Sequence, residues 1–242
     1  MKSGWNYAGY HMNMSSENIL ARNCSSNGRG GYTIGSEMSG GVQNVTFVDS
    51  TSSGESGICI SSQPGRGGYV RDVTVRNVEF HWKSKGGKAF LFHVNQQRIC
   101  KPGCAGGPHC GFACDNKNAS LTTQFSNFVF EDITAHGPPD LPIGDFTGGA
   151  VPITGVMLRN ITFNGFDLKQ HGVAMTCVNV SGSSSAISPP DAVCQQLRQS
   201  LSLPSDRHLP YLKTDDIIRD TAAAAASEVT GKVCDVTAAP SR

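Results

Sequence analysis

The stretch Val70-Arg71-Asp72-Val73-Thr74-Val75-Arg76-Asn77-Val78 carries the pattern that decides the fold. An apolar residue is followed by Asp, then by alternating β-branched and other residues, and then by Asn. Alternation with a period of two is typical of a β-strand, and Asn or Asp tolerates the left-handed backbone of a sharp turn. We therefore predict a short strand that ends in a corner, and we assign the Asn and Asp residues to turn chemistry rather than to ligand binding.

The same pattern returns along the chain, with copies at residues 17–23, 42–49, 70–78, 126–133 and 156–163. The closing Asn or Asp falls at positions 23, 49, 77, 132 and 160, which gives steps of 26, 28, 55 and 28 residues. We interpret the step of 55 as two steps with one copy lost or overwritten. A fixed period in the twenties marks a stacked solenoid. Each unit has a strand and neither a leucine ladder nor a helical stripe, so the sequence predicts an all-β parallel β-helix.

The period also predicts how the chain is divided. About seven coils, stacked about 4.8 Å apart, fit in residues 1–182. Residues 84–124 interrupt the period, so we expect a cysteine-rich loop insertion there. Residues 183–242 form a C-terminal segment and tail, in which residues 215–232 are the helix candidate because of their alanine run. This helix either caps the last coil or belongs to a loosely held tail.

Composition limits the possible partners and the cellular compartment. The net charge is +1 without a block of either sign, so nucleic acid is not an expected partner. No run approaches the roughly eighteen apolar residues of a spanning helix, so no membrane association is expected. Nine cysteines and six Asn-x-Ser/Thr sequons, at positions 13, 23, 44, 118, 160 and 179, favour an exported protein. Because the start of the chain has no signal-peptide core, we expect that its true N-terminus lies further upstream.

The cysteine pattern favours disulfides over a metal. Cys100, Cys104, Cys110 and Cys114 lie in a Gly- and Pro-rich segment and lack the Cys-x-x-Cys spacing of zinc ribbons. Cys24, Cys59 and Cys234 stay unassigned. None of the seven histidines lies in a recognisable catalytic or metal-binding motif, so all are predicted to be surface or loop residues, and neither metal nor cofactor is expected.

Three short motifs point to a known family. They are Lys2-Ser3-Gly4-Trp5, Ile34-Gly35-Ser36-Glu37-Met38-Ser39-Gly40-Gly41-Val42 and Pro64-Gly65-Arg66-Gly67-Gly68-Tyr69-Val70. In this order they resemble glycoside hydrolase family 28, the polygalacturonases, and the likeness runs from Lys2 to about Leu197. The resemblance implies a right-handed parallel β-helix of the pectin-lyase type, inverting hydrolysis of α-1,4-linked galacturonan in pectin, and a pairing of Cys177 with Cys194.

The resemblance also implies that the catalytic residues are missing. Inverting hydrolysis uses one carboxylic acid and one carboxylate. In the family these are aspartates that lie just upstream of the segment matching Lys2-Ser3-Gly4-Trp5, and none of them is in this chain. We therefore expect the chain alone to be inactive. It is either the C-terminal part of a pectin hydrolase or a non-catalytic polysaccharide-binding or structural β-helix. A β-helical lyase is disfavoured because no calcium-binding acidic cluster is visible.

Two further family signatures are altered in this sequence. The histidine of a Gly-His-Gly motif is replaced by Arg29 or Gly30, and an Arg-Ile-Lys motif is replaced by Cys59-Ile60-Ser61. The second change removes two cations that would pair with substrate carboxylates, each worth about 1.5–3 kcal/mol. The change predicts that even the complete protein either prefers a less acidic sugar or is inactive.

Motif position selects the expected substrate-binding residues, which are Lys2, Arg29, Glu37, Arg66 and Tyr69. Each of the four charged residues could equally be a solvated charge at a coil edge. Tyr69 could equally be a packed strand residue. We expect a polysaccharide as partner and a monomer when the protein is complete. A solenoid cut before its cap exposes an open edge, so we expect the chain alone to aggregate.

Overall fold

Short and long strands alternate along the chain, as a coiled solenoid requires. The computed structural model describes residues 1–27, 31–54, 57–82, 92–96, 121–137, 143–166, 168, 175–198 and 235–238. The short strands are β3 (Tyr32–Gly35), β5 (Ile58–Ser61), β7 (Phe92–Asn95), β9 (Gly144–Thr147) and β11 (Met175–Val178). The long strands are β1 (Ser16–Arg22), β4 (Val42–Gly54), β6 (Tyr69–Trp82), β8 (Gln124–His136), β10 (Ile153–Asn164) and β12 (Val180–Ser188).

Four smaller elements and one late strand complete the described chain. They are helix α1 (Asn6–Met12), strand β2 (Ser25–Ser26), a 3-10 turn (Pro190–Ala192), helix α2 (Gln195–Arg198) and strand β13 (Asp235–Ala238). None of the helices within the described ranges is long and apolar enough to span a membrane.

The strands form two sheets that run along the solenoid. The long sheet has the order β12-β10-β8-β6-β4-β1-β13, with β2 beside β4, and the short sheet has the order β11-β9-β7-β5-β3. All neighbours pair in parallel except β13, which is antiparallel to β1. One short and one long strand make one coil. The prediction of an all-β parallel β-helix is confirmed.

Asn and Asp residues form the corners of the coils. The closing residues Asn23, Asp49, Asn77, Asp132 and Asn160 all have φ between 50° and 53°. This is the left-handed conformation that the sequence predicted for them. Their side chains bond along the solenoid axis: Nδ2 of Asn77 donates to Oδ1 of Asp49 at 2.7 Å, and Asn160 donates to Asp132 in the same way. The Asn and Asp residues therefore have two roles: their backbone forms the turn, and their side chains connect neighbouring coils.

The register of the strands tests the predicted period. Val42 pairs with Val70 and Ser126 pairs with Thr154, so these coils are each 28 residues long, as predicted. The interpretation of the 55-residue step was wrong, because Val70 pairs directly with Phe125. This step is a single enlarged coil, in which β7 is the short strand. The total of about seven coils stays a prediction.

Apolar side chains fill the space between the sheets. Inward positions on the long strands, such as Val73, Val75 and Phe130, are fully buried. Phe130 contacts Phe92 on the short sheet, with ring centroids 5.3 Å apart, and Phe146, with centroids 6.0 Å apart. Aromatic burial of this kind is a large stabilising contribution. Many of the polar side chains of the strands therefore lie at the outward positions, where they can contact other molecules.

The C-terminal region is described only at residues 183–198 and 235–238. Strand β12 continues its pairing with β10 to Ser188, and β13 pairs with β1 at the other end of the long sheet. The edge of β1 is therefore covered within the chain, so the open edge from which aggregation was predicted is not present at β1. The predicted helix at residues 215–232 and most of the predicted loop insertion at residues 84–124 lie outside the described residues. The division at residue 182 stays a prediction.

Candidate functional site

The outer face of the short sheet presents two parallel rows of side chains. Because the strands are in register, one residue from each strand stands beside its equivalent on the next. The first row is Thr33, Cys59, His93, Asp145 and Thr176, and the second is Gly35, Ser61, Asn95, Thr147 and Val178. The residues between the rows, including Ile34, Ile60 and Val94, point inward and are buried. Apolar alternation thus fixes which polar groups face outward.

Asp145 is the centre of the polar contacts on this face. Its Oδ2 accepts a hydrogen bond from Nδ2 of Asn95 at 2.7 Å and lies 3.3 Å from Nδ1 of His93, while its Oδ1 accepts from the hydroxyl of Thr147. Burial alone would raise the pKa of Asp145. The contacts with His93, Thr147 and Asn95, together with the electrostatic effect of His93, outweigh that effect and lower the pKa. The carboxylate is therefore ionised at neutral pH and held in one orientation.

Strand β5 brings a thiol and a hydroxyl to the same face. Cys59 stands beside His93 in the first row and is half-buried, and Ser61 is buried in the second row. The Sγ of Cys59 lies 3.9 Å from Oγ of Ser61. The assignment of these two positions to the Arg and Lys of the family motif stays a prediction. Neither outward side chain of β5 is a cation.

Three of the residues predicted from motif position meet at one corner. The Nζ of Lys2 lies 2.6 Å from Oε2 of Glu37, and the guanidinium of Arg66 lies over the ring of Trp5, 4.8 Å from its centroid. Burial would raise the pKa of Glu37, but its bonds with Lys2 and its own backbone, and the charges of Lys2 and Arg66, lower it. Burial lowers the pKa of Arg66, which the carboxylate of Glu37 opposes. Lys2, Glu37 and Arg66 thus form a compact group of opposite charges.

Burial separates these residues into accessible and inaccessible ones. Arg66 is only 1% exposed and its Nη2 donates to Oε1 of Gln63 at 3.2 Å, which argues against direct contact with a substrate. Glu37 is 7% exposed. By contrast, the side chain of Lys2 is 62% exposed and Trp5 is 41% exposed. Arg66 therefore supports Trp5 and Glu37 from inside, and Lys2 and Trp5 face the solvent.

Tyr69 lies in a packed environment. The guanidinium of Arg71 lies over its ring, 4.5 Å from the centroid, and Arg71 also donates two hydrogen bonds to Oε1 of Gln43. The ring also packs against Gly41, where a Cβ would come within 2.4 Å of the ring carbon Cζ. A residue without a side chain is therefore required at position 41. These contacts agree with the packed-strand alternative for Tyr69.

Several predicted residues lie elsewhere or outside the described part. The structure joins Cys177 and Cys194 by a disulfide. Arg29, Cys100, Cys104, Cys110 and Cys114 lie outside the described residues, so their predicted roles stay predictions. The polar group of His93, Asn95, Asp145 and Thr147 was missed from the sequence. Its members are up to 54 positions apart, and only the strand register brings them together.

The chain is similar to known proteins both in sequence and in structure. No protein-family model matches the chain. The chain is 29% identical over 194 residues to a protein of Vitis vinifera named "Probable polygalacturonase", an alignment that spans 78% of this chain and 35% of the relative. The crystal structure of a hyperthermoactive exopolygalacturonase from Thermotoga maritima is similar with a TM-score of 0.52 and 18% identity, covering 77% of this chain and 37% of that one.

The two similarities support different conclusions. The sequence similarity supports a relationship of this chain to the polygalacturonases, and the structural similarity shows the fold. The chain spans about a third of the length of each of these two relatives. Activity, substrate and partners of a whole protein are therefore matters for proposal.

Proposed function

We propose that this chain is the polysaccharide-binding part of a polygalacturonase-type glycoside hydrolase that acts on pectin, and that on its own it binds pectin without cleaving it. The observation that supports this is the composition of the two outward rows on the short sheet. Among their ten residues, all of them described, Asp145 is the only carboxylate. Inverting cleavage of an α-1,4 bond needs two carboxyl groups about 6.5–9.5 Å apart.

The state of Asp145 also fits binding better than catalysis. An inverting base must be able to take a proton from water, and its partner acid must start protonated. The carboxylate of Asp145 is ionised and already accepts bonds from Asn95 and Thr147. Its lowered pKa makes it a poor proton acceptor and an unsuitable acid. We therefore assign it to orienting His93 and Asn95 toward sugar hydroxyls.

Charge on this face sets the kind of pectin that we expect to bind. The ionised Asp145 repels a galacturonate carboxylate, and Cys59 and Ser61 supply no cation to attract one. Methyl-esterified galacturonate has no charge and avoids this repulsion. We therefore propose a preference for highly esterified pectin over polygalacturonate.

We further propose that the protein is secreted or bound in the cell wall and acts as a monomer when complete. The disulfide between Cys177 and Cys194 supports an oxidising compartment, where such bonds persist. Pectin, the proposed ligand, is an extracellular polymer.

A second candidate function is a non-catalytic polysaccharide-binding or structural β-helix. The presence of a single carboxylate, Asp145, on the outward rows also favours this candidate. A protein that only binds sugar needs no second carboxylate, whether or not further coils are added to the site. The protein purified from its native source distinguishes the two candidates. Release of reducing ends from pectin by that protein supports the hydrolase, and binding without release supports the second candidate.

The test of binding uses isothermal titration of the chain with pectin oligosaccharides of high and low esterification. We expect the esterified oligosaccharides to bind more tightly and no reducing ends to be released. The variant His93→Ala should weaken binding at least about fivefold, an amount close to one net hydrogen bond. Thr74→Ala, on the outer face of the long sheet, is the matched control and should bind as the wild type does. Equal binding by His93→Ala, or cleavage by the isolated chain, would overturn the proposal.

A further inference from the structure

Two histidines and a glutamate meet on the outer face of the long sheet, away from the short-sheet site. His81 on β6 pairs in register with His136 on β8, and Glu79 lies two residues before His81 on the same face of the strand. Parallel strands in register place equivalent side chains side by side. The two imidazole rings are accordingly stacked, with centroids 4.9 Å apart and planes 6° apart.

The glutamate lies between the ends of both rings. Its Oε1 is 3.1 Å from Nε2 of His81 and 3.3 Å from Nε2 of His136. One ligand atom from each of the three residues lies within 4.8 Å of the other two. Ligand atoms around a tetrahedral zinc ion are about 3.3 Å apart, given metal–ligand distances of about 2.0–2.1 Å. Two of the three separations are therefore already those of a metal site.

We propose that Glu79, His81 and His136 bind a divalent transition-metal ion of the Zn²⁺ type. Imidazole nitrogen and carboxylate oxygen are ligands that such ions take, and hard ions such as Mg²⁺ and Ca²⁺ prefer oxygen alone. Three protein ligands leave one position for water, as in zinc sites that are open to solvent. The inference is independent of the pectin-binding proposal, because it rests on another sheet.

The strand neighbours of the three residues leave the carboxylate of Glu79 available to a cation. Their register neighbours on the adjacent strands are all neutral: Ser53 and Asn164 flank the histidine pair, and Thr51 and Thr134 flank Glu79. No lysine or arginine at these positions competes for the carboxylate. The side chains of Glu79, His81 and His136 are between 41% and 46% exposed, so they can adjust their rotamers to close the remaining gap.

A shallow groove of about 460 Å³ reaches the site from one side. It is lined by Glu79 and by polar residues that include Asp49, Asn77 and Asp132, which stack on one another at the turns of successive coils. The groove gives an ion a route to the carboxylate and leaves room for the bound water. The alternative is that Glu79 only accepts hydrogen bonds from the two imidazoles and that no ion binds.

The experiment is isothermal titration of the whole chain with ZnCl₂, after unpaired thiols have been blocked with iodoacetamide so that cysteines do not compete. We expect one equivalent of Zn²⁺ to bind with a dissociation constant below about 100 µM. Glu79→Gln, His81→Asn and His136→Asn should each weaken binding by at least about tenfold, and His81→Asn/His136→Asn should abolish it. Co²⁺ bound at the same site should show the visible absorption of a tetrahedral ion.

Two control variants remove similar groups elsewhere. His11→Asn removes a histidine of α1, and Glu131→Gln removes a carboxylate from β8 that is paired with Arg159. Both should bind Zn²⁺ as the wild type does. Thermal unfolding without metal should be the same for all single variants, which shows that each is folded. Absence of Zn²⁺ binding by the wild type, or wild-type affinity in the double histidine variant, would overturn the proposal.

Discussion

Replacing the corner residue Asn77 tests how the sequence makes the coils. Asn77 has φ of 51° and joins the two arms of β6, and its Nδ2 donates to Asp49 of the preceding coil at 2.7 Å. In Asn77→Ala the backbone of an alanine must adopt the left-handed conformation, and the hydrogen bond to Asp49, which we call the ladder bond, is lost. In Asn77→Gly the bond is lost as well, but glycine adopts this conformation without a steric cost.

The magnitudes follow from these two contributions. A left-handed L-residue costs about 1–2 kcal/mol, which Asn relieves in part, and an exposed ladder bond contributes about 0.5–1 kcal/mol. We therefore expect Asn77→Ala to lower the free energy of unfolding by about 2 kcal/mol. Asn77→Gly should lower it by about 1 kcal/mol, through the lost bond and the greater freedom of the unfolded chain.

A matched pair of variants on the same strand gives the opposite order. Thr74 lies in the extended part of β6, where glycine is worse than alanine by about 0.5–1 kcal/mol. Urea unfolding followed by circular dichroism measures all four variants. We expect the glycine variant to be more stable than the alanine variant at position 77 and less stable at position 74. If Gly is the less stable choice at both positions, the corner does not have the left-handed geometry on which the coil depends.

Three further predictions concern the core, the charge at Asp145 and the covered edge. Phe130→Ala removes a fully buried ring between the two sheets and should lower the free energy of unfolding by about 3–5 kcal/mol in thermal or urea denaturation; a loss below 1 kcal/mol would contradict the packing. Asp145 has a pKa below its usual 3.8, so its ionised form stabilises the fold at pH 7; the stability lost in Asp145→Asn should be constant above about pH 5 and shrink as the pH falls below about 4, and a difference that grows in acid would contradict the lowered pKa. Deletion of residues 233–242 removes β13 and uncovers β1, so light scattering should show oligomers that the intact chain does not form, and a deletion variant that stays monomeric would argue that the edge needs no cover.

The fold was predictable because one coil is a local pattern. The alternation around Val73 and Val75 and the Asn or Asp at each corner fix strand, turn and period from adjacent residues alone. The enlarged coil between Val70 and Phe125 was misinterpreted, because its length equals two ordinary steps. Length alone does not distinguish a missing copy from an insertion, and only the direct pairing of β6 with β8 does.

The site was predictable only in part. Motifs identified the corner of Lys2, Glu37 and Arg66, but they could not show that Arg66 lies inside it. The contact of His93 with Asp145 depends on the register across the enlarged coil, which no short stretch of sequence records.

At least two of the Asn-x-Ser/Thr sequons have a structural role in the turns of the coils. The Nδ2 atoms of Asn44 and Asn160, which a glycan would have to occupy, donate to Asn18 and Asp132 in the corner ladders. Both asparagines match the glycosylation pattern because the corner needs Asn and the following strand needs Thr. Their presence is therefore weaker support for export than their number suggests.

A crystal structure of the chain with a bound, highly methyl-esterified pectin oligosaccharide tests the account most directly. We expect parallel coils, with sugar density across the outer face of β5, β7 and β9 and hydrogen bonds to His93 or Asn95. Sugar bound on the long sheet instead, or strands that do not stack in parallel, would contradict it.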